Sequence, residues 1–345
     1  MWNGSDKLIK VYISKLVQGE DLSFKESIDV MTQIMEGELT PAQLGSFLTA
    51  LALKGETVDE VAGMASVMRD KSTKVVASGD LVDTCGTGGD GLRTFNISTA
   101  SAFVCAGHGA KLAKHGNRAM SGKTGSADVL EALGANINLS PESVSECIFK
   151  TGFGFIFAQG FHPSMKYAAG PRRDIGIRTV FNILGPLTNP AGAKRQVIGV
   201  SDESVGELMA NVLGKLGSER ALIIHGGDGL DEITITGNST VWELCSESVT
   251  VDQIDLEELG FTKSNINTIQ VDSAKESADV IMGVLSGAKN SATDVVLLNA
   301  AAGLVVSGLS KNLVAGISDA RASIDSGSAL HALRSYVEIS NSLSE

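Results

Sequence analysis

Apolar residues recur at three- and four-residue spacing through the first 72 positions. Ile28, Met31, Ile34 and Met35 form one such set, and Leu44, Phe47, Leu48 and Leu51 form another. That is the period of one helix face, so the region is predicted to be helical. Three capping boxes punctuate it: Ser23–Glu26, Thr40–Gln43 with Pro41 at the first helical position, and Thr57–Glu60. In each, a hydroxyl accepts from an orphan N–H of the first turn while the Glu or Gln reaches back. The Met and Leu faces can pack on one another or on a second copy of the chain, and the pattern leaves both open.

From about Gly79 the pattern changes to short apolar runs of buried-strand type. These are 81–85 (LVDTC), 110–116 (AKLAKHG), 153–158 (FGFIFA), 195–200 (RQVIGV) and 220–226 (RALIIHG). Helical segments alternate with them: Ser126–Leu133 stopped by Gly134, Pro141–Lys150, and Glu203–Leu216 stopped by Gly217. Residues 233–245 are expected to form a hairpin turning at Gly237-Asn238. The chain from Ala274 onward reads as three helices. Val295 to Ser310 is the longest uncharged apolar run; it falls short of the ~20 residues a membrane span needs and reads as a buried helix. Alternating strands and helices imply α/β architecture. The expected fold is a small all-helical N-terminal domain plus a larger α/β domain with a mostly parallel central sheet flanked by helices. The helical domain is set at 1–75, joined by about 164–188, and the α/β domain at 76–163 and 189–345.

Composition narrows the function. The 345 residues carry 28 Lys+Arg against 40 Asp+Glu, a net charge of −12. Such a balance disfavours nucleic-acid and anionic-membrane binding, which need a basic face. Glycine is the outlier, with 39 residues, about 11% where ~7% is usual, which points to loops lined by backbone. Cys85, Cys105, Cys147 and Cys245 show no CxxC spacing, and the first twenty residues show no apolar signal core, so a cytoplasmic protein with reduced thiols is expected.

Four clusters carry candidate chemistry. The first follows a strand: Asp83-Thr-Cys-Gly86-Thr87-Gly88-Gly89-Asp90-Gly91, then Asn96-Ile97-Ser98-Thr99 into a helix starting near Ala100. Dense glycines before a helix N-terminus make a phosphate cradle. No acidic residue follows at the Rossmann spacing of about 20 positions. The second is Lys114-His115-Gly116-Asn117-Arg118 through Ser121-Gly122-Lys123-Thr124-Gly125-Ser126. It misses a Walker A motif by one residue between its glycines, and it reads as a second phosphate loop. The third runs Gly170-Pro171-Arg172-Arg173 to Arg178-Thr179 and on to Asn189-Pro190; Arg172 suits bidentate capture of a carboxylate. The fourth, Asp228-Gly-Leu-Asp231-Glu232, sets oxygen ligands at a strand end, where they suit Mg²⁺. No nucleophile elbow or triad is present.

The runs DTCGTGGDGLRTFNIST, AKHGNR, GSADVLEALG, IRTVFNILGPLTNPA and GLDEIT, in this order, resemble the anthranilate phosphoribosyltransferase family over nearly the whole chain. Pyrimidine-nucleoside phosphorylases share the fold, but KHGN and GPLTNPA look like the anthranilate branch. The resemblance implies transfer of phosphoribosyl from phosphoribosyl pyrophosphate (PRPP) to the amine of anthranilate, with Mg²⁺ required, in tryptophan biosynthesis. It further implies a homodimer formed through the helical domain. Carried over by motif, the PRPP contacts are Gly86, Gly89, Asp90, Thr94, Asn96, Ile97, Ser98 and Thr99 in the first cluster. In the second they are Lys114, His115, Gly116, Asn117, Arg118, Ser121, Gly122 and Ser126. Gly86, Asn117 and Arg172 would hold anthranilate, and Ser98, Asp231 and Glu232 the metal. No general base is assigned. Many family members have a serine-rich loop where this chain reads Met120-Ser-Gly-Lys123-Thr-Gly, which adds a charge.

Overall fold

A computed structural model describes residues 4–119 and 124–343, with side chains from residue 8 onward. Ser121, Gly122 and Lys123 lie outside the described residues. The chain opens with helices α1 (Gly4–Val17), α2 (Phe24–Glu36), α3 (Pro41–Lys54) and α4 (Val58–Lys71). All three capping boxes form, at Ser23, Thr40 and Thr57, each worth about 1 kcal/mol to its helix. Met31, Ile34, Phe47, Leu48 and Leu51 are buried where the spacing placed them.

The α/β part begins with β1 (Leu81–Gly86), α5 (Ile97–Gly107), β2 (Lys111–Gly116), α6 (Ser126–Ala132), α7 (Pro141–Thr151) and β3 (Phe153–Phe157). A connector then returns to the helical part through short α8 (Ala158–Phe161), α9 (Lys166–Ile175) and short α10 (Phe181–Leu184). Helix α9 packs against α2 and α3. Next come β4 (Arg195–Gly199), α11 (Gly206–Lys215), β5 (Arg220–Gly226), β6 (Ser239–Cys245) and β7 (Ser248–Ile254). Four helices close the chain: α12 (Ala274–Leu285), α13 (Ser291–Ser307), α14 (Leu313–Asp325) and α15 (Ser328–Ser342).

The single seven-stranded sheet has the order β3-β2-β1-β4-β5-β6-β7. Its first five strands are parallel, β6 pairs antiparallel to β5, and β7 antiparallel to β6. Two apolar clusters flank it. One joins α5, α13 and α15 to one face. The other joins α2–α4 and the connector residues Ala168, Val180, Phe181, Leu184 and Leu187 to α11 and to Ile198, Ile223 and Trp242 of the sheet. The helical part therefore shares its core with the opposite face of the sheet.

Two expectations are corrected. Residues 233–238 form no strand, and the hairpin is β6–β7, turning at Ser246-Glu247 with φ of 49° and 70°. The Thr234 and Thr236 hydroxyls donate instead to Asp228 Oδ2, at 2.7 and 2.8 Å, folding 228–238 into a side-chain-bonded loop. The C-terminal region has four helices rather than three. Gly327, at φ 77°, breaks α14 from α15.

Candidate active site

The strand order reverses at β1: the chain proceeds outward to β2 and β3, then crosses to β4 on the other side. Loops diverge at such a point and leave a crevice beyond the carboxyl ends of the strands. Gly86 and Gly199 end β1 and β4 there, paired in register. A Cβ on Gly199 would overlap the Asp231 backbone, and one on Gly86 would strike the Asp231 carboxylate. These two glycines let the acidic loop after β5 lie directly on the strand ends.

The first glycine cluster arches over this point. Gly88, Gly89 and Gly91 have φ of 64°, 79° and 72°, a backbone that side-chain-bearing residues rarely adopt. Gly88 N–H donates to Asp231 Oδ2 at 2.8 Å, and Thr87 N–H to Gly199 O at 2.9 Å. Thr94 O accepts from Thr124 Oγ1 at 3.3 Å, tying the first loop to the second. Asn96 caps α5, its Oδ1 accepting from Thr99 N–H at 3.2 Å, so the helix starts three residues earlier than the sequence indicated. Ile97 is buried beneath it, and Thr99 Oγ1 is buried without a partner.

Lys114 lies under the start of α5, only 1% exposed. Its ammonium donates to Ser98 Oγ at 3.0 Å and to the Thr84 carbonyl. Burial pulls its pKa down, while Asp83, Cys85, Glu232 and Asp231 oppose the shift. Asp83 is itself fully buried, accepting from His115 N–H at 3.1 Å and Asn189 Nδ2 at 2.8 Å; burial raises its pKa to about 6. Asp231 is likewise raised to about 6, by burial and then by Asp90. Glu232 is pushed well up by burial and by Asp231, though it faces the Ser98 N–H. Buried Asn299 supports this loop from α13: its Oδ1 accepts from Ile233 N–H at 2.9 Å and its Nδ2 donates to Ile233 O at 3.0 Å. Crowded carboxylate oxygens that disfavour one another's charge fit a hard divalent cation, which relieves that repulsion.

The described side chains of the second cluster make contacts within the protein. The Arg118 guanidinium is held by Asp128 at 2.9 Å and by Glu131 at 2.6 and 2.9 Å, both on α6. The His115 ring is buried 5.0 Å from that of His162, and neither Nε2 has a partner. Burial lowers their pKa values to about 3 and about 4. Gly116 makes room for Ser126 Oγ and Phe155, and Ser126 Oγ donates to Asn117 O at 3.3 Å. Asn117 is exposed.

Arg172 stands on α9, its guanidinium 4.9 Å from the Phe181 ring centre and without a carboxylate partner among the described residues. Sequence reasoning missed Gly199, His162 and the support from Asn299, and it placed Asn189 in the third cluster without foreseeing its bond to Asp83. Gly199 had a readable signal, a glycine closing an apolar strand run. The others are joined to the site only by the fold.

Among the described residues no helix is long and apolar enough to cross a membrane. Residues 10–72 match the helical bundle domain of a glycosyl transferase family, and 78–330 match its a/b domain. Anthranilate phosphoribosyltransferase from Acetivibrio thermocellus is 52% identical over 336 residues, covering 97% of each chain. The Thermus thermophilus enzyme superposes with a TM-score of 0.91 at 40% identity, covering 96% of this chain and 99% of that one. The Saccharomyces cerevisiae enzyme, solved with PRPP and Mg, gives 0.89 at 29% identity over 98% and 99%; its complex with 4-fluoroanthranilate gives 0.88 at 28% over 99% of each chain. A strand-order reversal with a glycine loop, a capped helix start and an acidic pair thus coincides with near-complete matches in sequence and fold, and the chain belongs to the anthranilate phosphoribosyltransferase family.

Proposed function

We propose that the protein transfers the phosphoribosyl group of PRPP to the amine of anthranilate, releasing pyrophosphate and N-(5-phosphoribosyl)anthranilate, the second step of tryptophan biosynthesis. The observation that carries this reading is the meeting of the glycine loop, the α5 N-terminus and Asp231/Glu232 at one strand-order reversal. Within Gly86–Thr99, the N–H groups not already used inside the protein, chiefly those of the Gly89–Gly91 arch and the first turn of α5, donate to phosphate oxygens. Lys114 balances the buried acids beneath them. Ser98, Asp231 and Glu232 are the residues that would hold Mg²⁺, which when bound neutralises charge on the leaving pyrophosphate. Arg172 pairs with the anthranilate carboxylate, and Gly86 and Asn117 complete the acceptor site. The aromatic amine is neutral at pH 7, so positioning and charge stabilisation suffice before attack. The buried, low-pKa His115 fits a neutral structural ring better than a base.

The helical unit is 1–75 with 164–188, a reading supported by the packing of α9 on α2 and α3, although its apolar core continues into α11 and the sheet. Exposed Val11, Val17 and Leu53, on α1 and α3, support dimerisation through that unit. Anionic substrates and four free cysteines are in keeping with a cytoplasmic enzyme. The deciding experiment follows anthranilate fluorescence on mixing protein, PRPP and Mg²⁺, with an EDTA control. Depletion requiring all three supports the reading. No depletion by folded protein overturns it and leads to a nucleoside-plus-phosphate assay.

A further inference from the structure

Arg178 stands where the connector meets the glycine loop. It follows α9 by three residues, beyond Gly176, which closes the helix at φ 70°. Its guanidinium is exposed. A Cβ built on Gly89 would lie 3.4 Å from Nη1, so the guanidinium rests against the arch of the loop. Nη2 donates to Ser201 Oγ at 3.1 Å. Ser201, just beyond β4, turns that hydroxyl to Gly88 O at 3.0 Å, and its N–H donates to Thr87 Oγ1 at 3.3 Å. Three segments thus meet at one cation: the connector, the end of β4 and the glycine loop. No carboxylate lies within ion-pair distance of Arg178 among the described residues, in contrast to Arg118.

We propose that Arg178 is a further anion-binding residue of the donor site, taking a phosphate group of PRPP over Gly89 and so fixing the connector that carries Arg172. Donor binding then sets the acceptor arginine. A planar fork with one arm on Ser201 keeps its remaining N–H donors for phosphate oxygens. This proposal rests on the transferase reading above.

The test measures binding by calorimetry with Mg²⁺ present, for PRPP, pyrophosphate and ribose 5-phosphate, on the full-length wild type and on Arg178→Ala and Arg178→Lys. The expected result for Arg178→Ala is a Kd for PRPP raised about tenfold or more, a loss shared by whichever of the two fragments carries the phosphate group concerned. Arg178→Lys recovers part of it. The KM for anthranilate also rises in Arg178→Ala, although Arg172 is intact, and melting temperatures stay equal. Kd values within twofold of wild type for all three ligands overturn the assignment, as does a loss matched by a lower melting temperature in both variants. Failure of the wild type to bind PRPP overturns the transferase reading and this proposal together. Failure confined to the variants leaves the transferase reading standing.

Discussion

The loops after β1 and β2 leave adjacent parallel strands at the same edge of the sheet, yet they are built on opposite plans. Between Asp83 and Thr99 the first carries a single basic residue, Arg93, whose guanidinium is turned to Asp272 at 3.3 Å. It is an arch of backbone shaped by the positive φ of Gly88, Gly89 and Gly91, and the proposed phosphate contacts there are main-chain N–H groups. The second is rich in cations, and the structure engages three of its described ones internally: Lys114 beneath α5, Arg118 on Asp128 and Glu131, His115 against His162. Formal charge in a motif is therefore a poor guide to charge at the site. Arg172 and Arg178, which have no carboxylate partner among the described residues, come from the connector.

The largest effect is expected from removing Lys114. If its charge serves the buried acids, Lys114→Ala leaves Asp83 and Glu232 uncompensated. The expectation is a loss of about 10³-fold in kcat together with a destabilisation of about 3 kcal/mol, read from turnover and urea melts. A variant that lost only PRPP affinity, at full stability, would make Lys114 an ordinary surface clamp. Next, Arg172→Ala is expected to raise the KM for anthranilate about 30-fold or more, in line with the ~2 kcal/mol or more of a charge-assisted pair, with the KM for PRPP nearly unchanged. Equal effects on both would count against the assignment. Asn299→Ala strips both partners from Ile233 without touching substrate, so apparent Mg²⁺ affinity should drop about tenfold, measured by activity against Mg²⁺ concentration.

The histidine pair predicts a pH effect with a definite sign. Both folded-state pKa values, about 3 and about 4, lie below the ordinary value near 6.5. Unfolded chains take up these protons first, so the contribution to stability is whole above pH 6.5 and is lost as pH falls toward 4. Because the raised Asp83, Asp231 and Glu232 contribute with the opposite sign over the same range, the loss is read as the difference between wild type and His162→Gln in thermal melts from pH 7.5 to 4.5, with the variant expected to lose less on acidification. The smallest effect belongs to Arg118→Ala, whose exposed pairs are weak: a KM for PRPP within about threefold of wild type and a melting temperature within a few degrees. A large loss of PRPP affinity there would instead mark Arg118 as a phosphate clamp.

The five parallel strands were legible because each is a short apolar run bounded by glycine, and the capping boxes marked α2–α4 to the residue. The β6–β7 hairpin was not, since Ser246-Glu247 lacks the Asn-Gly signature that residues 237–238 only approximate in reverse. At the site, local pattern located the glycine loop and the acidic pair. It could not say that Asp231 would rest on Gly199, 32 positions earlier, or that Arg118 would turn to its own following helix. Those outcomes depend on which strand neighbours which, and strand order is not written in any one segment.

The apolar cluster that runs unbroken from α2–α4 into α11 and Trp242 has a consequence for protein engineering. The seam at which family members can exchange modules does not follow residue 75. A chimera grafting only the N-terminal helices of a relative would bring mismatched shapes against Met209, Leu213 and Ile223. Transplants that carry the connector and α11 along with those helices keep the joint intact, so the heritable unit of this enzyme is three separate stretches of chain rather than one.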